Sequence, residues 1–277
     1  MRIAFLGPAG TFTEDALREA VADRGFEPLL TPTIHDAIVA VERGEAERAL
    51  VPIENSIEGS VRTTLDTLAF ETKGVTIAGE HDYAVRAKLL ARRPLELEQI
   101  SQVLSHPQPL AQCARFLRER LPAAERRSVA STAEAVRLVA EAEEPWAAIG
   151  ARSAAELYGC TVLEEGIEDE ADNVTRFVWI APAGTPPEEG ETWKTSLVFS
   201  ELGEDHPGAL VEALREFSSR GINLSRIESR PLRQGLGRYM FFCDLEGAAS
   251  DPAVAKAIED LRVKASSVRV LGSYPVR

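Results

Sequence analysis

A proline- and glycine-rich acidic segment without hydrophobic periodicity, residues 182–192, divides the chain into two parts with different patterns. Such a composition is typical of a linker. Before it, strand and helix patterns alternate, which predicts an α/β domain with a largely parallel sheet. After it, the order strand–helix–strand–strand–helix–strand predicts a ferredoxin-like domain. At 277 residues the chain is long enough for two domains, each with its own core.

The first part is predicted to form two lobes of similar size. Its strand pattern restarts near Tyr83, and its last strand returns late to the first lobe. We therefore expect a catalytic or binding domain at residues 1–181, with lobe one at residues 1–80 and 170–181 and lobe two at residues 81–169. The C-terminal domain is expected at residues 193–277. A cleft between two such lobes is a common small-molecule site.

Hydrophobic periodicity predicts the following elements. The strands of the first part are residues 2–6, 29–30, 49–51, 75–78, 83–90, 103–104, 147–149 and 177–180, and its helices are residues 13–22, 34–42, 61–70, 110–119, 132–143 and 152–158. The strands of the second part are residues 196–201, 222–230, 239–245 and 268–271, and its helices are residues 210–220 and 254–264.

Charge and composition restrict the kind of partner. The formal net charge of −13 makes nucleic acid and anionic membranes poor partners. No apolar run approaches the length of a membrane span, and the chain opens without a signal-peptide pattern. Its three cysteines are far apart, which argues against disulfides, so we expect a cytoplasmic protein. His35, His81 and His206 have no ligand-like spacing, so we expect no metal.

Thr175 and Arg176 stand where a polar approach meets the apolar strand at residues 177–180. The ends of strands are where sheet proteins display reactive groups. The threonine hydroxyl can donate or accept a proton, and the guanidinium offers a planar fork for a carboxylate. On their own, the two residues are better explained as a strand-capping threonine and a solvated arginine, and the case for a reactive site depends on the other polar stretches of the chain.

Three further polar stretches each follow a predicted strand. Residues 7–13 are glycine-rich and lead into a helix whose N-terminus could bind an anion, although a tight turn capped by Thr13 explains them as well. Residues 54–60 include Glu54 and Asn55, which suit hydrogen bonding to a polyoxygenated ligand. Residues 105–108 include His106, which could act as an acid or base near neutral pH or simply stabilise its loop.

Two stretches of the C-terminal domain have the character of a ligand site. Residues 205–211 form a strand-to-helix loop that begins at Asp205 and His206, and residues 228–231 end the next strand. Free backbone N–H and C=O groups at a helix start suit the charged ends of an amino acid. A structural turn and an edge-strand proline explain the same residues.

In order, these stretches resemble the prephenate dehydratase family in its form with a C-terminal ACT domain. The resemblance covers essentially the whole chain through seven matches, at residues 7–13, 54–56, 105–108, 173–177, 208–211, 228–231 and 271–275. Thr13 stands where serine is common in the family, and Pro109 follows the histidine motif, which can alter the start of that helix. Because no chorismate mutase segment precedes Met1, the resemblance implies the monofunctional type.

The resemblance implies a two-lobed, periplasmic-binding-protein-like catalytic domain that converts prephenate to phenylpyruvate, water and carbon dioxide without a cofactor. It also implies a homodimer or homotetramer whose ACT domains bind L-phenylalanine as a feedback inhibitor. The implied catalytic residues are Thr175, Arg176, Phe177, Asn55, Ser56 and Glu58. The implied substrate-binding residues are Pro8, Ala9, Gly10, Thr11, Phe12, Glu54, Ser105, His106, Gln108 and Asn173. The implied phenylalanine-binding residues are Gly208, Ala209, Leu210, Val211, Asn223, Leu224, Ile227, Glu228, Ser229, Arg230 and Pro231.

The chemistry of this reaction fits those residues. Hydroxide is a poor leaving group unless it is protonated as it departs, while aromatisation supplies the driving force. We expect Thr175 to donate or relay that proton within a hydrogen-bond network that draws on Asn55, Ser56 or Glu58. We expect Arg176 to hold the side-chain carboxylate, because pairing it with the departing ring carboxylate would stabilise the ground state.

Two alternative functions remain open from the sequence. Arogenate, the amino-acid analogue of prephenate, is barely distinguishable as a substrate. A non-catalytic sensor, with a two-lobed binding domain joined to an amino-acid-binding module, would be expected to lack the Thr175 hydroxyl, which is present here. A transcription factor is disfavoured by the acidic charge and by the lack of a basic helix-turn-helix pattern.

Overall fold

Three β-sheets organise the part of the chain that the computed structural model describes, which is residues 1–22, 24–202 and 207–276. Two sheets belong to the first part of the chain and form its two lobes. The third belongs to the C-terminal domain. None of the helices within these ranges is both long and apolar enough to cross a membrane.

The elements of the two lobes alternate as the sequence predicts. The strands are β1 (Arg2–Leu6), β2 (Glu27–Thr31), β3 (Arg48–Asn55), β4 (Gly59–Ser60), β5 (Val75–Ala84), β6 (Lys88–Ala91), β7 (Gln102–Ser105), β8 (Glu125–Ser128), β9 (Trp146–Gly150), β10 (Thr161–Glu165) and β11 (Val174–Pro182). The helices are α1 (Phe12–Val21), α2 (Ile34–Glu42), α3 (Arg62–Asp66), α4 (Pro107–Gln112), α5 (Ala114–Arg120), α6 (Thr132–Glu141) and α7 (Arg152–Tyr158).

Both lobe sheets are mixed. In the first, with the order β2-β1-β3-β11-β5, β1 is parallel to β2 and β3, whereas β11 is antiparallel to β3 and β5. In the second, with the order β10-β6-β9-β7-β8, β7 is parallel to β8 and β9, whereas β6 is antiparallel to β9 and β10. The α/β class and the two lobes are confirmed, but the expectation of a largely parallel sheet is wrong. The reason is that β11 returns from the second lobe and inserts between β3 and β5 in the opposite direction.

The chain crosses between the lobes at two adjacent points. β5 stays in the first sheet to Ala84, and β6 begins in the second sheet at Lys88. The return crossing runs alongside, because the Val85 amide donates to the carbonyl of Asn173 at 2.8 Å. The predicted strand at residues 83–90 is therefore wrong, since an apolar run does not reveal where its pairing partner changes from one sheet to another.

Other differences from the predicted elements have local causes. The predicted helix at residues 110–119 is two helices that meet at Cys113, and the predicted helix at residues 61–70 ends in a π-helical turn, Thr67–Glu71. The strands β8 and β10 lie at sheet edges and were not predicted. Every residue of β8 is exposed, and its sequence shows no apolar pattern.

Helix starts follow the expected capping chemistry. The Thr33 side chain accepts a hydrogen bond from the Asp36 amide at the start of α2, and the Ser131 side chain does the same for the Glu134 amide at the start of α6. The apolar stripe of α2 is buried in the first lobe, where it packs with β3 and β11.

The C-terminal domain has the predicted βαββαβ order. Its strands are β12 (Trp193–Ser200), β13 (Leu224–Pro231), β14 (Tyr239–Glu246) and β15 (Ser267–Pro275), and its helices are α8 (Ala209–Ser218) and α9 (Pro252–Lys264). The antiparallel sheet has the order β13-β14-β12-β15. This confirms the ferredoxin-like plan.

Strand alternation gives this third sheet two apolar faces. Leu197 and Phe199 pack with the helices α8 and α9. Val198, Phe242 and Tyr274 instead share a core with residues of the first lobe. The sheet therefore covers the first lobe directly, and β15 lies against β5.

Candidate functional site

A cavity of about 590 Å³ lies where the two lobes face each other. Its walls come from the ends of β1 and β3, from the start of β11, from the starts of α1, α4 and α6, and from the crossing segments between the lobes. The lining residues are Leu6, Gly7, Pro8, Thr11, Phe12, Thr13, Pro32, Pro52, Asn55, Val85, His106, Gln108, Pro109, Gln112, Ala130, Ser131, Thr132, Asn173, Thr175 and Phe177.

Thr175 and Asn55 meet in this wall because they are opposite each other on adjacent strands. The register of β11 against β3 pairs Thr175 with Asn55, and the Asn55 side-chain amide donates to Thr175 Oγ1 at 3.0 Å. The Asn55 side-chain oxygen, Oδ1, accepts from the backbone amides of Ile57 and Glu58, both at 3.0 Å, which fixes the orientation of the side-chain amide. Because Thr175 Oγ1 accepts from Asn55, its own hydrogen remains available to a ligand in the cavity.

Asn173 extends this network towards the second lobe. It is buried, accepts from the Asn55 amide at 2.8 Å and donates to Gln112 Oε1 at 3.3 Å. Gln112, at the end of α4, was not predicted as a site residue. Nothing in the sequence marks it, because a glutamine within a helical pattern is ordinarily solvated. The hydrogen bonds among Asn55, Asn173 and Gln112 connect the two lobes beside Thr175.

Backbone dipoles, and not aspartate, glutamate, lysine or arginine side chains of the described lining, contribute to the electrostatic potential inside the cavity. None of the described lining residues is an aspartate, glutamate, lysine or arginine. The helices α1 and α6, ten residues each, begin in its wall, and the positive ends of their dipoles favour an anion. Their first turns also carry carboxylates, Glu14 and Asp15 in α1 and Glu134 in α6. Thr11 Oγ1, at the start of α1, is buried without a hydrogen-bond partner in the part of the chain that the structure describes.

Metal-binding groups are not gathered at this site. Within residues 1–22, 24–202 and 207–276, no group of three histidine, cysteine, aspartate or glutamate side chains is arranged to hold a metal ion.

The comparisons with known proteins agree along nearly the whole chain. Residues 3–185 match the family model described as prephenate dehydratase, and residues 201–263 match the ACT domain. The chain belongs to the prephenate dehydratase family. A prephenate dehydratase from Mycobacterium marinum is 41% identical over an alignment of 282 residues that covers 99% of this chain and 88% of the relative.

Two solved structures share the fold of this family member at full length. One is a crystal structure of prephenate dehydratase from Arthrobacter aurescens in complex with L-Phe, with a TM-score of 0.90, 41% identity, and coverage of 99% of this chain and 90% of that one. The other is GqqA, described as a novel type of quorum quenching acylase, with a TM-score of 0.88, 31% identity, and coverage of 100% and 98%. Since one fold supports different activities, function has to be argued from the site.

Arg176, the arginine of the dehydratase motif, does not line the cavity. Strand alternation turns it to the opposite face of the sheet from Thr175. Its guanidinium pairs there with Asp244 at 2.6 Å and with Glu80 and Glu54 at 3.4 Å each. Burial opposes the charged form of Arg176, but Asp244 outweighs it, so the pKa is raised. The structure therefore gives no support to the expectation that Arg176 holds a substrate carboxylate, because its guanidinium is paired with carboxylates outside the cavity.

Three more predicted site residues hold the local structure instead of facing the cavity. Glu54 pairs with Arg176. The Ser56 hydroxyl donates to the carbonyl of Asp172 at 2.8 Å and accepts from the Val174 amide at 3.0 Å, which ties the loop after β3 to the start of β11. The Ser105 hydroxyl is fully buried and donates to the carbonyl of Ile149 at 2.8 Å.

The remaining predicted residues outside the cavity wall are Ala9, Gly10 and Glu58. Gly10 has a φ of +81°, and an added Cβ would lie 3.0 Å from Cα of Ala154, so this glycine permits a close approach between the lobes. Glu58 accepts from the Gln112 side chain at 3.4 Å and lines a neighbouring cavity of about 310 Å³.

The cavity wall does contain the other predicted residues of the catalytic domain. They are Pro8, Thr11, Phe12, Asn55, His106, Gln108, Asn173, Thr175 and Phe177. Sequence reasoning missed residues 130–132, although Ser131 followed by Glu134 is a recognisable helix start.

The predicted phenylalanine-binding residues lie on two elements of the C-terminal domain. Residues 208–211 begin α8, where Gly208 has a φ of 94°, and residues 224–231 form β13. Leu210 and Leu224 pack against the same apolar cluster, while Asn223 donates to Glu246 at 2.7 Å. Arg230 faces the first lobe and pairs with Asp66 at 2.8 Å. The loop residues Asp205 and His206 lie outside the described ranges.

Proposed function

We propose that this chain catalyses the decarboxylating dehydration of prephenate to phenylpyruvate, water and carbon dioxide. The observation that carries the proposal is the Thr175 hydroxyl, held by Asn55 in the wall of a cavity whose described lining residues include no aspartate, glutamate, lysine or arginine. Membership of the prephenate dehydratase family supports the same activity.

The reaction needs one proton at the departing hydroxyl. Loss of carbon dioxide leaves its bonding electrons in the ring, the ring becomes aromatic, and the C–O bond breaks as the oxygen is protonated to water. The Thr175 hydroxyl donates that proton, and a proton from solvent restores it afterwards. A threonine hydroxyl is a weak acid, so the Asn55 amide donates to Thr175 Oγ1 and stabilises the negative charge that develops there.

Substrate binding uses the helix N-termini in place of Arg176. The side-chain carboxylate of prephenate lies at the start of α1 or α6, where backbone N–H groups are available. The ring carboxylate lies in the part of the cavity lined by Phe177 and Val85, because a carboxylate that is poorly stabilised loses carbon dioxide more readily.

The same wall favours prephenate over arogenate. Arogenate carries an ammonium group in place of the keto oxygen. None of the described lining residues offers a carboxylate to pair with it, and two helix N-termini repel a cation.

We also propose that L-phenylalanine binds the C-terminal domain at the start of α8 and along β13 and inhibits the reaction. The structure of the Arthrobacter relative in complex with L-Phe supports this role. Val211 and Ile227 are 58% and 47% exposed on these elements, which supports a homodimer or homotetramer in which a second copy covers them.

The cellular location of this enzyme and the boundaries of its domains are further parts of the proposal. Three unpaired cysteines support the cytoplasm. We assign the catalytic domain to residues 1–181, a linker to residues 182–192 and the ACT domain to residues 193–277, supported by family matches at residues 3–185 and 201–263.

The experiment is a product assay with the purified chain, with prephenate and arogenate supplied in parallel. Phenylpyruvate is expected from prephenate, with kcat/KM for arogenate at least about 10-fold lower because of its unpaired ammonium. A rate that falls as phenylalanine is added supports the regulatory part. A folded protein that leaves prephenate unchanged contradicts the assignment, and faster turnover of arogenate contradicts the substrate preference.

A further inference from the structure

The two strands that carry Thr175 and Asn55 also carry an ion pair on their opposite face. In the register of β11 against β3, Thr175 is opposite Asn55, and the next pair is Arg176 opposite Glu54. The first pair lines the cavity, and the second faces the C-terminal domain. A displacement of Arg176 is therefore transmitted to Thr175 through a single peptide unit.

The C-terminal domain holds Arg176 through Asp244. Arg176 donates to Asp244 Oδ2 at 2.6 Å, and the Asp244 side chain is fully buried. Asp244 is fixed in turn by Arg226 at 2.9 Å and by the Ser196 hydroxyl at 2.6 Å. Contacts within the C-terminal domain therefore fix the position of the Asp244 carboxylate that pairs with Arg176.

The pairing of β11 with β3 is irregular at this point. The register of β11 against β3 shifts between Arg176 and Phe177, next to the catalytic threonine. On its other side, β11 stays in regular register with β5 from Val174 to Trp179. A bulge bends the strand and redirects side chains, so the contacts of Arg176 act together with the ladder in setting the position of Thr175. The ion pair of Arg176 is the contact closest to it along the strand.

We propose that Arg176 is a positioning residue: its ion pair with Asp244 of the C-terminal domain keeps Thr175 aligned with Asn55. The inference rests on the proposed dehydratase function. It also gives the effector a route to the cavity, because Arg226 belongs to β13, the strand on which phenylalanine binding is proposed.

The test compares Arg176→Met, Asp244→Asn and the double variant in the full chain. Each single change is expected to lower kcat by about 10- to 100-fold and to leave KM within about twofold, since neither residue touches the cavity. The double variant is expected to be no slower than the slower single variant, because both changes remove the same contact. Arg220→Met is the matched control: Arg220 pairs with Asp260 and Glu216 inside the C-terminal domain, so wild-type kcat is expected.

Several outcomes overturn the inference. They are unchanged kcat in either single variant, a rise in KM alone, or losses that multiply in the double variant. Wild-type protein without dehydratase activity would refute the proposed function instead, so the two failures are distinguishable. Arg176→Met is expected to fold because Asp244 keeps Arg226 and Ser196 as partners. If it does not fold, Arg176→Lys keeps the charge but loses the planar fork, and its expected result is an intermediate kcat with wild-type KM.

Discussion

Gly272 is the position where a single methyl group should separate the two domains. It lies in β15, and an added Cβ would overlap the carbonyl oxygen of Ile77 and lie 2.7 Å from Ile77 Cβ. Those atoms belong to β5 of the first lobe, and backbone cannot rotate away as a flexible side chain does. In Gly272→Ala, β15 must therefore retreat from β5.

The cost follows from two local terms. Overpacking at a rigid contact costs about 1–3 kcal/mol. Retreat of β15 also stretches the hydrogen bond from Thr76 Oγ1 to the carbonyl of Leu271, now 3.1 Å, which is worth about 1 kcal/mol. We expect Gly272→Ala to lower the free energy of unfolding by about 2–4 kcal/mol in total.

Urea denaturation followed by tryptophan fluorescence measures this loss. Gly25→Ala is the matched control, because an added Cβ there meets no atom within 4 Å, and a change within about 0.5 kcal/mol is expected. Equal stabilities of Gly272→Ala and Gly25→Ala would refute the close packing of β15 on β5.

Two other predictions concern the interface and the site. Burial acts to raise the pKa of Asp244, but Arg226 and Arg176 outweigh it and lower the pKa to about 2. Its ionised form therefore contributes about 2 kcal/mol of stability above pH ~4, and this contribution is lost as the pH falls through the folded-state pKa. In urea titrations from pH 5 to pH 2, the stability difference between wild type and Asp244→Asn should shrink by about that amount; a constant difference would count against it. Asn55→Asp keeps the acceptor for the Ile57 amide but removes the donor to Thr175, so kcat for prephenate should fall by about 10- to 100-fold, and a wild-type kcat would exclude this role.

The sequence predicts the order of helices and strands better than it predicts which strands pair with each other. The C-terminal βαββαβ order follows from periodicity, and the cavity contains Thr175 and Asn55 as expected. The antiparallel placement of β11 depends on where the chain goes after the second lobe, and no local pattern encodes that.

Arg176 shows why a motif can mislead about a site. Adjacent residues in a motif suggest one shared role, but β11 begins at Val174, so Thr175 and Arg176 point to opposite faces. Strand alternation could have separated the two residues had the strand been predicted to start earlier. The acceptor of Arg176, Asp244, is 68 residues away on another domain and could not be found from the sequence.

The central claim is that the Thr175 hydroxyl donates the proton, and kcat for prephenate in Thr175→Val and Thr175→Ser tests it most directly. Valine keeps the shape but has no hydroxyl, whereas serine keeps the hydroxyl within reach of Asn55. We expect kcat to fall by about 100-fold or more in Thr175→Val and to stay within about 10-fold of wild type in Thr175→Ser. Equal loss in both variants, or a valine variant as fast as wild type, would contradict the account.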